Sequence, residues 1–427
     1  MRMSNYKYTI ETITPLNIGN NEKYKSFEII PTSAIRRSSK VSKGDFYVID
    51  FDLLMKHEPN FVEKLIDIFR FEEYGKISEL ISNIDPQKYA KYQLKKYDPQ
   101  LKISPQSEII QHIKTNGKPF IPGSSIKGSF ISALLREEQI SDYFKQSVSR
   151  IIRDLDSEVK RQGRKNPRKI YSQKFQRKLK ELIGDHNISI AKFIKFSDTY
   201  PISPENFRLA NIKIFAVNGK KIEWFTMSRQ RRYSSSSSDA RGLITEVINS
   251  KTVLEGVFDI NDFETTVDII KKYERERTPW LESTNLLNKL LNIEENSGNL
   301  LTNLLSLIRE NVGNYIQNEI KFARKYDIKP FLKFYSNLQN KNENLKENQI
   351  LLQIGFATGF LSKVLWNKVD FQIVEGLKKL QNLKVMKGRI KSDLFPKTRR
   401  VILKNEMGYG EIYEPLGWVK LTFEENE

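Results

Sequence analysis

Lys127 stands among small residues in Gly123-Ser124-Ser125-Ile126-Lys127-Gly128-Ser129, behind Phe120-Ile121-Pro122 and ahead of the apolar run Phe130 to Leu135. That order predicts a turn opening a helix. Glycines let backbone approach a ligand closely, and the first helical N–H groups have no partner inside the helix. Serines can cap such donors, while the helix dipole and a lysine favour an anion. The chemistry on offer is phosphate holding; the competing reading is a well-capped helix that binds nothing. A nucleotide-binding phosphate loop needs G-x-x-x-x-G-K-[ST], and here Lys127 precedes Gly128, so that class is excluded.

Other cations could extend a phosphate contact. Arg36 and Arg37 lie in the polar run Arg36-Arg37-Ser38-Ser39-Lys40, and Arg229, Arg231 and Arg232 precede the serines Ser234 to Ser238. Residues 150–180 carry 12 Lys/Arg against 3 acids and include the loop-like run Arg161 to Lys169. Arg399 and Arg400 follow Phe395-Pro396-Lys397-Thr398, shortly before the glycine turn Met407-Gly408-Tyr409-Gly410-Glu411. Such runs add salt-sensitive affinity for phosphates without specifying a sequence. Tyr89, Tyr92 and Tyr97 interleave with Lys88, Lys91, Lys95 and Lys96. That mixture either stacks bases or packs its rings inward, and the second is the commoner outcome.

An enzyme is the rival class. A metal-independent ribonuclease would use a histidine, tyrosine or lysine to activate a 2′-hydroxyl. The three histidines, His57, His112 and His186, fall in stretches read as insertions, away from the glycine-rich turns. Asp50 and Asp52 alternate along an expected strand and would face opposite ways. Asp45 or Asp198, in loops, could cut RNA. No catalytic residue, metal site or cofactor is assigned.

The whole chain sets bounds on these readings. It has 427 residues, 39% hydrophobic and 29% charged, with net charge +19 and pI near 9.6. That length buries a substantial core, and that charge suits nucleic acid first and an anionic membrane second. No basic amphipathic helix with an exposed apolar face is evident, and no apolar run reaches the ~18 residues that span a bilayer. Without cysteine there are no disulfides and no thiol catalysis. These bounds describe a soluble, intracellular (cytoplasmic) protein without a membrane partner.

Positioning elements follow from periodicity. Strands are expected at Tyr6 to Ile13, Phe27 to Ile30, Phe46 to Phe51, Ile190 to Phe196, Phe207 to Val217, Ile222 to Met227, Thr252 to Ile260 and Leu416 to Phe423. Asn218-Gly219 is a hairpin turn. Helices are expected from Asp52 to about Pro119, from the central turn through Leu155, over 263–345, and from Ile354-Gly355-Phe356-Ala357-Thr358-Gly359 through Leu365. The Asn-, Lys- and Glu-rich stretch 339–348 reads as a linker.

An opening strand ending in Thr14-Pro15-Leu16-Asn17-Ile18-Gly19, the helix-start motif Ile121 to Gly128, and a late glycine-rich turn before a last strand resemble the RAMP superfamily of CRISPR proteins. Tyr47-Val48-Ile49-Asp50-Phe51-Asp52, Phe196-Ser197-Asp198-Thr199, Gly355 to Gly359 and Phe395 to Arg400 with Gly417-Trp418-Val419 resemble one branch. It is the Csm-type subunit at the guide RNA's 3′ end in type III-A effector complexes. Many relatives carry a histidine where this sequence has Asn17. The resemblance implies an α+β fold with a ferredoxin-like (RRM-like) core and large helical insertions. It implies three units: 1–260 as the core, with an insertion at about 52–118; a helical unit, 261–348; and a segment, 349–427, completing the core. It further implies a non-catalytic subunit that binds the 3′ part of CRISPR RNA, beside the repeating backbone subunit and the small subunit. That subunit supports maturation of the RNA end with help from host nucleases. Carried over, Gly123, Ser124, Ser125, Lys127, Gly128 and Ser129 contact RNA. Arg399, Arg400, Gly408 and Gly410 line the same groove, with Arg36, Arg37, Arg229, Arg231 and Arg232 as outer additions.

Overall fold

The computed structural model describes residues 3–31, 45–73, 84–98, 107–136, 149–154, 190–219, 221–226, 233–240, 242–261, 300–359, 361–363, 396–406 and 410–426, with short pieces between 76 and 379. Arg36, Arg37, Arg229, Arg231, Arg232, Gly408, His186 and the run 161–168 lie outside the described residues.

Two sheets carry the fold. The first runs in the order β15 (Gln349–Gln353), β18 (Trp418–Glu425), β1 (Met3–Thr12), β14 (Val253–Asn261) and β9 (Ile194–Phe196), every neighbour antiparallel. The second, of eleven strands among the described residues, follows the path β2 (Gly19–Lys25), β6 (Glu108–His112), β13 (Gly242–Ile248), β10 (Phe207–Asn218), β5 (Ala90–Lys96), β4 (Phe46–Ile49) and β3 (Ile29–Pro31). β11 (Lys221–Phe225), β12 (Tyr233–Ser234), β16 (Thr398–Glu406) and β17 (Gly410–Glu414) branch from β10. β7 (Lys114–Thr115) and β8 (Lys118–Pro119) form a separate ribbon leading to the central turn.

Among the described residues the longer helices are α1 (Phe51–His57), α2 (Pro59–Arg70), α3 (Gly123–Leu134), α4 (Leu300–Lys325) and α5 (Lys329–Glu343). In β1 the residues Tyr6, Tyr8 and Ile10 are buried while Asn5 is exposed, the alternation of a half-buried strand. Phe130 of α3 is fully buried, and its ring meets Phe196, Phe258 and Phe423 from three strands of the first sheet. α4 buries Leu301, Leu304, Leu305, Ile308, Val312, Ile316 and Ile320, a stripe at helical spacing. It packs on α3, α5 and β15. Removing the Phe130 ring would cost about 3–5 kcal/mol.

Several expected elements change character. Helix extends from Phe51 to Arg70, but the chain returns in strand at Ala90. The tyrosine–lysine mixture there has period two, with Lys91, Gln93 and Lys95 exposed and Leu94 buried. The expected strand from Phe46 ends at Ile49 because the Asp50 carboxylate accepts the N–H groups of Asp52 and Leu53 and starts α1. Phe27 lies in a short 3₁₀ turn, and only Ile29–Pro31 pairs as strand. The helix after the central turn is interrupted at Leu134, where Asn311 Nδ2 donates to the carbonyls of Ala133 at 3.0 Å and Leu134 at 3.1 Å, and the described residues 149–154 are helical again, as expected. Ile190–Phe193 is a single helical turn before β9.

The polar stretch at 339–343 is the end of α5 rather than linker. Gln339 bonds Glu343 at 2.7 Å, and Asn342 reaches Arg309 O at 3.1 Å. Gly355, Ala357 and Gly359 all have positive φ, so among the described residues the expected helix there is a series of turns followed by a 3₁₀ piece, Leu361–Lys363. Gly355 lets this segment press on the carbonyl of Asn17, which an added Cβ would meet at 2.2 Å.

Candidate nucleic-acid interface

The central turn is built from two distant segments. Ile121 N–H donates to Thr199 Oγ1 at 2.9 Å, and Thr199 N–H donates to Ile121 O at 3.0 Å. α3 starts at Gly123 with Pro122 as its cap residue and no side-chain cap from the adjoining serines. Asp198 does that work from 75 residues away: Gly123 N–H donates to its Oδ1 at 2.8 Å. A Cβ on Gly123 would lie 2.2 Å from the Phe196 carbonyl oxygen and 2.5 Å from that of Ser197. The glycine therefore serves close packing of the chain on itself, and an internal carboxylate already satisfies the first helical donor.

Phe196-Ser197-Asp198-Thr199 is thus a clasp. Tyr8 OH donates to Ser197 O at 2.9 Å, and Ser197 Oγ accepts Val257 N–H at 2.8 Å, tying the clasp into the sheet. The sequence offered the motif but not its partner, because the hydrogen bonds close over 75 residues. Asp198 is spent as a cap, and Asp45 is buried with Gln93 Nε2 donating to its carboxylate at 2.9 Å.

What faces outward is narrower than the motif. Ser124 and Gly128 are exposed, four residues apart and so on one helix face. The space around Gly128 is open, with nothing within 4 Å of where a Cβ would sit. Lys127 is half-buried and makes no hydrogen bond or ion pair among the described residues. Burial first, and the neighbouring Lys195 charge second, lower its pKa from the ordinary lysine value. An anion would relieve both causes. Ser125 is half-buried, and Ser129 Oγ donates to Gln353 O at 3.4 Å, turned toward β15.

Arg399 and Arg400 part company because successive strand residues point to opposite faces. Arg399 is enclosed: its Nε lies 2.7 Å and its second terminal nitrogen 3.0 Å from the Glu319 carboxylate, a bidentate pair, with Phe322 stacked 4.0 Å away. Burial alone would lower the Arg399 pKa; the Glu319 charge and hydrogen bonds outweigh it and leave it raised. Its charge is committed inside the protein, where it fastens the β16–β17 hairpin to α4, in place of the outward groove contact expected of it. Arg400 is exposed on the other side. Gly410 opens β17 opposite Glu406.

His112 sits under the turn and not in a remote insertion. Its Nδ1 accepts Ile18 N–H at 3.0 Å, and its Nε2 faces Phe120 O at 3.0 Å, which assigns the proton to Nε2. Burial, with a smaller push from Lys114, lowers its pKa to about 3, so the ring is neutral. Beside it, Glu246 is fully buried and accepts from Lys114 Nζ and Tyr92 OH, both at 2.6 Å. These acid–base groups satisfy one another in the core. His57 is exposed at the end of α1. Among the described residues no three His, Asp or Glu side chains are grouped to hold a metal, and no helix is long and apolar enough to cross a membrane.

Comparison with known proteins agrees with this architecture. The model of the RAMP superfamily matches residues 9–368. The CRISPR system protein Csm5 of Methanocaldococcus jannaschii is 22% identical over 437 residues, covering 97% of this chain and 88% of its own. Among solved structures, a chain of a Csm–crRNA–target RNA ternary complex of a type III-A CRISPR-Cas system superposes with TM-score 0.56 at 18% identity, covering 98% of this chain and all of the other. The crystal structure of T. onnurineus Csm5 gives TM-score 0.52 at 15% identity, over 96% and 99% of the two chains. At these identities the solved structures speak for the fold.

Proposed function

The chain belongs to the RAMP superfamily, and from that premise we propose that it is the Csm5-type subunit of a type III-A CRISPR effector complex. One observation carries the reading: the match is not confined to one motif but runs over 97% of this chain and 88% of a Csm5. In this reading the subunit holds the 3′ region of CRISPR RNA, caps the filament of repeating backbone subunits, contacts the small subunit and supports 3′-end maturation by host nucleases in the cytoplasm. It performs no chemistry of its own. The strand order β18–β1–β14–β9, with α3 between β1 and β9 in the chain and α4 after β14, supports a ferredoxin-like core.

The physics suits that role. A protein holding guides of any sequence must grip phosphate and sugar and leave base edges unread. Lys127, Lys195 and the open backbone face at Gly128 offer charge and close approach without a base-reading side chain. Arg400 and the basic runs Arg36–Arg37 and Arg229–Arg232 extend the electrostatic footprint.

The test is a gel assay of the full chain with end-labelled single-stranded RNA over a salt series, with EDTA and with magnesium or manganese. Binding without cleavage, tight at low salt and indifferent to spacer sequence, is expected. Lys127→Ala should weaken binding about equally for all sequences and lower the salt slope by roughly one. Cleavage in either condition would overturn the non-catalytic reading, and a loss confined to certain sequences would overturn the role of Lys127.

A further inference from the structure

Tyr200 leaves 62% of its surface open to solvent although the backbone around it is firmly held. Its N–H donates to Glu255 O at 2.8 Å, Thr199 N–H before it to Ile121 O at 3.0 Å, and Ile202 N–H after it to Pro119 O at 3.0 Å. Pro201 between them restricts the chain further. The ring is presented from a rigid support, so immobilising it on a partner loses little conformational freedom. Among the described residues no aromatic ring or cation packs on its face.

Its position is informative. Asp198 and Thr199, the residues just before it, clasp the start of α3. Lys195, whose charge reaches Lys127, lies five residues upstream on β9. On its other side Tyr200 is near Lys7, whose ammonium is 2.9 Å from Glu255. The strand face below carries Lys7, Thr9, Glu11, Glu255 and Asp259 in place of aromatic residues, with ion pairs Lys7–Glu255 and Glu11–Lys420. That open face of the first sheet is therefore no stacking platform itself, and Tyr200 at its border supplies the exposed ring.

We propose that Tyr200 is a base-stacking residue: one unpaired nucleobase lies on its ring while Lys127 and Lys195 attract the adjoining phosphates. The proposal rests on the RNA-binding reading above and adds a contact to a base plane, which every base possesses and which therefore reads no sequence.

The experiment compares wild type, Tyr200→Ala, Tyr200→Phe and Lys127→Ala as full chains, binding labelled oligouridine or an equally long oligomer of abasic ribose phosphates. Tyr200→Ala should weaken oligouridine binding roughly tenfold. Tyr200→Phe should bind like wild type, and on the abasic oligomer Tyr200→Ala and wild type should bind alike. Equal losses on both oligomers would overturn stacking. Unchanged oligouridine binding by Tyr200→Ala, beside a loss in Lys127→Ala, would overturn it while leaving the RNA-binding reading intact. So would a defect confined to assembly with other protein subunits, which would make Tyr200 a protein-docking residue. Failure of wild type to bind either oligomer would overturn the underlying reading and the proposal together.

Discussion

The turn at Gly123–Ser129 and the hairpin at β16–β17 share a sequence feature, basic residues close to glycines, and give it opposite uses. In the hairpin, Arg399 is enclosed by Glu319 and Phe322, and its charge is structural. In the turn, Lys127 is half-buried beside another lysine, with no carboxylate partner among the described residues. A cation with a buried carboxylate holds the fold together; a cation without one, in a partly dry site beside a like charge, is the one we propose for an outside anion. The difference lies in the neighbours and not in the motif.

That contrast can be broken most severely at Glu319. Glu319→Ala leaves the Arg399 charge buried without its partner and should destabilise the protein by about 3–5 kcal/mol, read as a lowered denaturant midpoint. A loss no larger than that of an exposed pair, such as Glu255→Ala against Lys7, would mean that the hairpin does not depend on this lock.

Acid is the next test, directed at the support beneath the turn. His112 has its pKa lowered to about 3, below the ordinary 6.5. The unfolded chain therefore binds its proton more readily, and the stability held above about pH 6.5 declines as pH falls toward 3. The slope from this group is about 1.4 kcal/mol per pH unit. Denaturant melts across that window should show it, and His112→Gln should flatten the profile. An unchanged profile would place the acid sensitivity elsewhere.

The glycines sharpen the comparison inside the turn itself. Gly123→Ala drives a Cβ into the Phe196 and Ser197 carbonyls and should destabilise by about 1–3 kcal/mol, as overpacking does. Gly128→Ala enters open space in a helix and should stabilise by roughly 0.5–1 kcal/mol while weakening RNA binding by covering the approach face. Thermal melts paired with RNA titrations separate the two. Loss of stability at both positions would show that Gly128 is also a packing residue.

Much of the fold was legible from local pattern. The alternation in β1, β14 and β18 and the Asn218-Gly219 turn between β10 and β11, with Gly219 at φ +62°, appear where residue periodicity puts them, while β10 forms in place but is buried along most of both faces instead of alternating. The RAMP resemblance rested on the turns and strand ends where this fold brings its chain segments together, and the family match bears it out. Misreadings arose where one pattern has two local solutions. Tyrosines among lysines fit a helix face or a strand edge, and pairing with β4 and β10 settled that run as strand. Polar composition near 340 suggested linker, yet those side chains bond each other and Arg309 in a helix end.

By itself the sequence determined the basic charge, the strand periods, the small-residue turn and the family likeness, because each depends on residues adjacent in the chain or on their sum. Tertiary structure alone decided that Asp198 caps α3, that Gly123 is filled by the chain and Gly128 left open, that Arg399 turns inward, and that His112 lies neutral beneath the turn. The open space at Gly128 reflects the lack of any neighbour; each other outcome depends on burial and on a partner tens of residues or more away. Desolvation and pairing act through space, and it is they that decide whether a charge is structural or open to a ligand.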